Sequence, residues 1–361
     1  MPFIPGSQAR WWLLWAAIPY GMVAGFRARL YRWGWLSQRK LPVPVISIGN
    51  LTLGGTGKTP MVIKLAEWLL ADGKRVAILS RGYRRTSRDP RLLVSDGERL
   101  LAGPGDAGDE PYLIARRCPK AVVAVGADRY ELGRWVVSRW SPDCILLDDG
   151  FQHLGLHRDV DVLLVDATDA GGLDAVVPAG RLREPLSAAA RATVIVVTRA
   201  DAAEPVARVV QRLRDAVGPL PDPVQAVFRP EGLVSLISGE SQSASWCRGK
   251  TALLCSGIGH AASFRATAEG LGLRPVDEIR YADHHGYSMA DIDRVRTRAC
   301  ELKAELVVTT EKDGGKVAPL LSPADGSWWA VRLGTEITSG EDRLRQLVVR
   351  QSTRTPVEVC A

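Results

Sequence analysis

Short β-branched runs alternating with helical stretches predict an α/β protein: a P-loop NTPase-like, mostly parallel sheet with helices on both faces, plus a smaller C-terminal α/β domain. Three observations carry that prediction. Runs such as Cys144–Leu147 and Val160–Val165 are short and rich in Val, Ile and Leu, as strands buried on both faces must be. A glycine-rich loop separates the first run from the first helical stretch. A proline-rich stretch, Pro219 to Pro230, then divides the first alternating set from a second. At 361 residues, with 46% hydrophobic and 24% charged side chains, the chain has core enough for more than one domain and is not a disordered one. The expected division is a basic Trp-rich segment at 1–40, a phosphate-loop domain at 41–218, a linker at 219–250 and a second α/β domain at 251–361.

The first segment holds the excess charge. Residues 1–66 contain eight basic side chains and no acid, Glu67 being the first carboxylate. The net charge of +7 comes from 47 basic and 40 acidic residues, so the rest of the chain holds 39 against 40, a net of −1. A nucleic-acid binder would spread a basic face over a domain, and this distribution excludes that class. From Trp11 to Phe26 no residue is charged, and Arg27, Arg29, Arg32, Arg39 and Lys40 follow. A spanning helix needs ~20 apolar residues; this run is shorter and contains Pro19 and Gly21. It lacks a clear A-x-A cleavage site. The leading reading is a segment lying in the interface of an anionic membrane, indoles at headgroup depth and arginines on phosphates. A spanning helix, a signal peptide and a buried N-terminal helix remain the alternatives. The basic flank favours a cytoplasmic location for the remainder.

In the first domain, strands are expected at Val43–Ile48, Arg75–Leu79, Ala121–Val125, Cys144–Leu147, Val160–Val165 and Thr193–Thr198, with helices over Pro60–Ala71, Glu110–Arg117 and Arg129–Arg139. In the second, Thr251–Cys255, Val276–Arg280 and Glu305–Thr309 read as strands, Ala261–Leu271 and Ser288–Leu302 as helices. Ser288 with Asp291 three residues on is an N-terminal cap signal. The six cysteines show no C-x-x-C pair and read as buried reduced thiols.

The strongest motif is Thr52-Leu53-Gly54-Gly55-Thr56-Gly57-Lys58-Thr59, between a strand and a helix. Its glycines let successive backbone N–H groups face phosphate oxygens, and the helix N-terminus adds its positive end. Lys58 would reach the β- and γ-phosphates of ATP and Thr59 would ligate Mg²⁺. Thr52 departs from the usual leading glycine. Asp148 and Asp149 close a predicted parallel strand, where a magnesium-holding carboxylate sits. Asp109 and Glu110 open a helix, where acids commonly just complement the dipole. Asp283-His284-His285 could orient or supply a base. Arg81 with Tyr83, and Arg181 with Arg183, lie where arginine forks would suit phosphate, a solvated charge run being the plain alternative.

Gly257-Ile258-Gly259-His260-Ala261-Ala262 also fits a dinucleotide fingerprint, but Asp277, the candidate ribose acid, falls at the start of its strand rather than the end. Thr198-Arg199-Ala200-Asp201 only weakly matches a guanine-reading N/T-K-x-D, since Arg replaces Lys.

Taken together, GNLTLGGTGKTP (Gly49–Pro60), LSRGYRR (Leu79–Arg85), GDEPYLIARR (Gly108–Arg117), ADRYE (Ala127–Glu131), LLDDGFQH (Leu146–His153), PAGRLREP (Pro178–Pro185), GIGHAASF (Gly257–Phe264), ADHHGYS (Ala282–Ser288) and TTEKDGGK (Thr309–Lys316) resemble the tetraacyldisaccharide 4'-kinase family of lipid A biosynthesis. They run in order over most of the chain; Ala261 departs, the family usually carrying proline there. The resemblance implies transfer of the ATP γ-phosphoryl group to the 4'-hydroxyl of a tetraacylated glucosamine disaccharide 1-phosphate, at the cytoplasmic face of the bacterial inner membrane. It implies a site between the two domains, with Asp109 as general base supported by His284 and Asp283. Glu110, Asp148, Asp149 and His153 match further active-site positions, the first three as candidate Mg²⁺ ligands and His153, with Arg81, Tyr83 and Arg181, as a substrate contact. The chain is expected to act as a monomer and to bind no nucleic acid. The rival class is a membrane-cycling ATPase switch, whose second lysine before the glycine pair is Leu53 here.

Overall fold

The computed structural model describes residues 11–259 and 261–352. Strands appear in chain order as β1 (Val45–Asn50), β2 (Val76–Ser80), β3 (Leu92–Asp96), β4 (Val122–Val125), β5 (Cys144–Asp148), β6 (Val160–Asp166), β7 (Val194–Thr198), β8 (Val224–Ser235), β9 (Ser241–Ser243), β10 (Thr251–Ser256), β11 (Arg274–Arg280), β12 (Leu306–Thr310) and β13 (Trp328–Ser339). All join one sheet in the order β11-β10-β12-β13-β8-β7-β6-β1-β5-β2-β4-β3, with β9 on β8. Neighbours from β8 to β4 run parallel, and β3 is an antiparallel edge.

The first set's strands bury both faces by alternation. Ile46, Ile48, Ile78 and Leu146 face helices Lys58–Ala71 and Asp109–Arg117. Val45, Ala77, Leu79, Ile145 and Leu147 face Leu132 and Val136 of helix Arg129–Trp140. The second set repeats this with helices Ala261–Gly270 and Met289–Glu301 on opposite faces. The expected cap at Ser288 is present as a reciprocal box with Asp291.

The residues expected to link the sets, 219–250, include the strands β8 and β9. The 12-residue strands β8 and β13 pair antiparallel from Gln225–Ser339 to Ser235–Trp329, while β8 also pairs with β7 and β13 with β12. This ribbon fuses the two sets into one surface. The chain then returns: helix Glu341–Ser352 places Leu344 and Val348 in the first set's core. Helix Ala203–Val217 adds to the expected elements; Val206, Val209, Val210 and Leu213 give it a regular apolar stripe.

Helix Leu14–Arg32 runs through Pro19 and Gly21 and is longer than the uncharged run suggests. Only Ala17 and Gly21 are buried; Gly21 faces Val176, and Tyr20 donates to the Arg183 carbonyl at 3.0 Å. Trp12, Trp15, Ile18, Met22, Val23, Phe26, Trp33 and Trp35 are exposed, Trp15 at 75% and Trp35 at 77%. Among the described residues no helix is long and apolar enough to cross a membrane. Residues 1–10, His260 and 353–361, including Arg10 and Cys360, lie outside the described residues. Cys118, Cys144, Cys247 and Cys255 are buried and unpaired as expected; Cys300 is exposed, a correction that follows from its place on the outer side of helix Met289–Glu301.

Candidate active site

The phosphate loop leaves β1 and enters helix Lys58–Ala71 two residues earlier than Pro60, the expected start. Gly57 takes φ +83°, a left-handed turn only glycine adopts cheaply, and the Phe228 ring occupies the space of any Cβ there. Backbone bonds Leu53 N to Arg181 O and Arg183 N to Leu51 O, both 2.7 Å, brace the loop. The Arg181 guanidinium donates to the Leu53 carbonyl at 3.0 Å and pairs with Asp169 at 2.9 Å. Arg181 therefore holds the loop itself. Gly54 and Gly55 face outward beside it, and the Thr52 and Thr56 side chains are buried beneath.

The Lys58 ammonium donates to Asn50 Oδ1 at 3.2 Å and lies 3.8 Å from Asp149. Burial lowers its pKa, with the Asp149 charge opposing. Asp149, at φ +54°, also takes Arg183 at 2.9 Å. Asp148, 5% exposed, ends β5 and accepts from Ser80 Oγ at 2.8 Å. Burial and the neighbouring Asp149 charge push its pKa up to about 6.

Among the described residues no cluster of three or more His, Cys, Asp and Glu side chains could hold a metal ion. Mg²⁺ seldom uses an all-protein cage; it keeps water and takes one or two carboxylates plus substrate phosphates. Asp148 fits that use, since its raised pKa marks a buried carboxylate with too little positive charge around it.

Helix Asp109–Arg117 begins after Gly108 and presents both acids toward the second half of the sheet. There the loop after β11 turns through His284 at φ +63°. His284 Nδ1 lies 3.0 Å from Asp109 Oδ2, which assigns the ring proton to Nδ1. That loop is seated by the Gly257 turn, whose carbonyl accepts from His284 N at 3.1 Å while Gly257 N donates to Asp313 at 2.9 Å. Gly257 of the rival fingerprint thus seats the His loop. Asp277 is paired to Arg298 at 2.7 Å.

Two lysines outside the predicted site residues complete the group. Lys316 donates to Asp109 Oδ2 at 3.3 Å; Lys312 reaches Glu110 at 2.8 Å and His284 Nε2 at 3.4 Å. Burial alone would raise the Glu110 pKa, but the charge and hydrogen bond of Lys312, together with a backbone hydrogen bond, hold Glu110 below the ordinary range. The four-residue spacing places both lysines on one face of helix Glu311–Val317, a signal present within TTEKDGGK. Asp283 sits farther off, 3.8 Å from Nε2 and half exposed. The closest partner of His284 is Asp109 itself.

Arg117, its side chain 8% exposed, donates to Glu311 at 3.0 Å and to the Leu333 carbonyl at 3.1 Å, with Glu67 at 3.4 Å. Gly315 packs so closely on Tyr112 that a Cβ would lie 2.8 Å from its ring. The helices carrying Asp109 and Lys316 are thus locked together at both ends.

The remaining predicted residues border this group. The exposed Tyr83 ring meets His284 edge-on at 6.4 Å, and Arg81 is exposed nearby. His153 is held neutral, its pKa pushed down to about 4 by burial and by Arg129. Arg129 is itself buried, its pKa lowered to about 10 by burial. Thr59 lies in the first turn of helix Lys58–Ala71 at the loop's end. Lys58, Asp148, Asp149 and Glu110 share one electrostatic environment, so the loop and the Asp109–His284 pair face a common space.

A family model described as tetraacyldisaccharide-1-P 4'-kinase matches residues 9–352. A tetraacyldisaccharide 4'-kinase of Anaeromyxobacter sp. (strain Fw109-5) is 41% identical over 323 residues, 90% of this chain and 86% of the relative. That of Pelobacter propionicus is 39% identical over 303 residues, 83% of this chain and 81% of the relative. The crystal structure of LpxK from Aquifex aeolicus in complex with ATP superposes with a TM-score of 0.77 at 32% identity, covering 95% of this chain and 99% of that one.

Proposed function

The chain belongs to the tetraacyldisaccharide-1-P 4'-kinase family and is an ATP-dependent kinase acting on tetraacyldisaccharide 1-phosphate, and we propose that Asp109 is the base of that transfer. The observation that carries the assignment is the Asp109–His284 contact of 3.0 Å beside a phosphate loop. Loop amides from Thr52 to Thr59 and the Lys58 ammonium would cradle the β- and γ-phosphates. Phosphates arriving there would take over the Lys58 ammonium from Asp149. Asp148, with Thr59, Asp149 and Glu110, would hold the Mg²⁺ that comes with ATP, which when bound neutralises charge on the phosphates. Lys316 and His284 both occupy Oδ2 of Asp109, leaving Oδ1 to accept the 4'-hydroxyl proton as attack proceeds. Arg81, Tyr83, His153 and Asp283 line the acceptor side of this arrangement.

The acceptor carries acyl chains that stay in a bilayer, and the exposed apolar helix Leu14–Arg32, flanked by tryptophans, packs on the same 176–185 segment that braces the phosphate loop. We infer that this helix lies in the anionic interface of the cytoplasmic leaflet and holds a monomeric kinase at its substrate. The decisive experiment incubates the protein with γ-labelled ATP and tetraacyldisaccharide 1-phosphate in mixed micelles. Label is expected in the lipid; label released only to water would support an ATPase switch instead.

A further inference from the structure

In-line transfer carries the γ-phosphoryl group across the gap between the acceptor hydroxyl and the departing ADP, and its equatorial oxygens stay negative throughout. Lys58 approaches that group from the phosphate loop. Asp109 and Glu110 border the acceptor side and, as acids, offer the phosphoryl oxygens no compensation. The second half of the sheet holds a cation that can.

Helix Glu311–Val317 presents two lysines to these acids, and their settings differ. Lys316 is pinned: its side chain is 12% exposed, and it lies 3.3 Å from Asp109 Oδ2 and 3.2 Å from Oδ1 of the wholly buried Asp313. Lys312 is more open, at 22%, and the carboxylate that holds it, Glu110 at 2.8 Å, is itself 30% exposed. Its ammonium also stands 3.4 Å from His284 Nε2, beside the Asp109–His284 pair. Toward the nucleotide it is close as well, because the charge of its partner Glu110 acts on both Lys58 and Asp148. Lys312 resting on Glu110 thus repeats Lys58 resting near Asp149 at 3.8 Å.

We propose that Lys312 is a second phosphoryl-binding cation, leaving Glu110 for the γ-phosphate oxygens when ATP binds and staying on them through transfer; the inference deepens the kinase reading and rests on Asp109 marking the acceptor side. In the transfer the acceptor oxygen bonds to phosphorus, and the bond from phosphorus to the β–γ bridging oxygen breaks, its electron pair going to ADP. Asp109 receives the hydroxyl proton. Lys312 gives up no proton; it neutralises oxygens that are charged from ATP to product. Lysine suits this task, since a compact charge on a flexible stem can change partners. The root of that stem stays in place, because Arg117 grips Glu311 at 3.0 Å and Gly315 packs on Tyr112.

Calorimetric titration of the full chain with Mg²⁺-ADP and with the Mg²⁺ complex of the β,γ-imido analogue of ATP isolates the γ-phosphate contact without lipid acceptor or transfer. Lys312→Met keeps the apolar stem and removes the charge. It is expected to weaken binding of the ATP analogue about tenfold while ADP changes less than about twofold, and to lower turnover by about 10²–10³. Lys312→Arg should recover part of both, and retained ADP affinity shows that each variant is folded. Equal losses for the two nucleotides would make Lys312 a support of the fold, and an unchanged affinity for the analogue would leave it a partner of Glu110 and His284 alone; either result overturns the proposal. Parent-like turnover in Asp109→Ala would instead overturn the assignment of the base, and it leaves the comparison of the two nucleotides as it stands.

Discussion

His284 Nδ1 and Asp109 Oδ2 stand 3.0 Å apart although 175 residues separate them in the chain, one on each half of the sheet. Asp109, the proposed base, and His284 thus meet only when both halves are packed. Asp109→Ala should lower turnover by about 10²–10⁴, with Mg²⁺-ATP affinity nearly unchanged, since Asp109 makes no contact with the phosphate loop. Turnover close to that of the parent protein in a lipid-transfer assay would remove Asp109 from the reaction.

Asp148 links the site to stability. Its pKa in the folded protein is raised from 3.8 to about 6, burial being the main cause. The folded state holds that proton more tightly than the unfolded chain does. The stabilisation it provides is therefore complete below the unfolded value of 3.8 and is lost as pH rises through about 6. The difference is worth ~3 kcal/mol. In metal-free buffer, Asp148→Asn should flatten urea-derived stability across this window and raise it at neutral pH, while turnover falls. A retained slope would assign the pH dependence to another group.

Arg117 joins the two helices that carry Asp109 and Lys316. Its removal takes from Glu311, whose side chain is 15% exposed, its closest cation at 3.0 Å and leaves it Arg332 at 3.6 Å. Breaking such a pair costs ~3 kcal/mol. Arg117→Ala should lower the urea midpoint accordingly, and Arg117→Lys should restore part of it. The alanine variant should also lose kcat more than it gains KM for ATP, because Lys312 and Lys316 lose their seat. Unaltered stability would show that Glu311 does not need this cation.

The exposed face of helix Leu14–Arg32, with Trp12 just before it, makes a separable prediction. Changing Trp12, Trp15, Met22 and Val23 to serine alters side chains that touch little of the fold. Thermal stability should move by less than about 0.5 kcal/mol per site. Sedimentation with phosphatidylglycerol vesicles should fall sharply, and the parent's binding should weaken with added salt. Full vesicle binding by the variant would reject the interfacial role.

Much of this is legible in the amino-acid sequence alone. Apart from the antiparallel edge β3, which is absent from the expected elements, the first-domain strands, the phosphate loop, the Asp148–Asp149 pair and the Ser288 cap all rest on spacings within a few residues, and such spacings are written directly into sequence. Helix Ala203–Val217 is written there too, in the spacing of Val206, Val209, Val210 and Leu213, although it is absent from the expected elements.

The rest belongs to packing. The direct contact of Asp109 with His284, a pairing the family resemblance implies, and the grip of Lys312 and Lys316 on the acids depend on how two α/β sets are held side by side. The β8–β13 ribbon sets that relation, and helix Glu341–Ser352 reinforces it by returning to the first core. By itself the sequence determined a phosphate-binding α/β protein with a basic, tryptophan-rich end, because loop chemistry, strand alternation and charge counts are local properties. Only the tertiary structure decided which carboxylate meets which cation, because those distances are fixed by the registry of one continuous sheet and not by any interval along the chain.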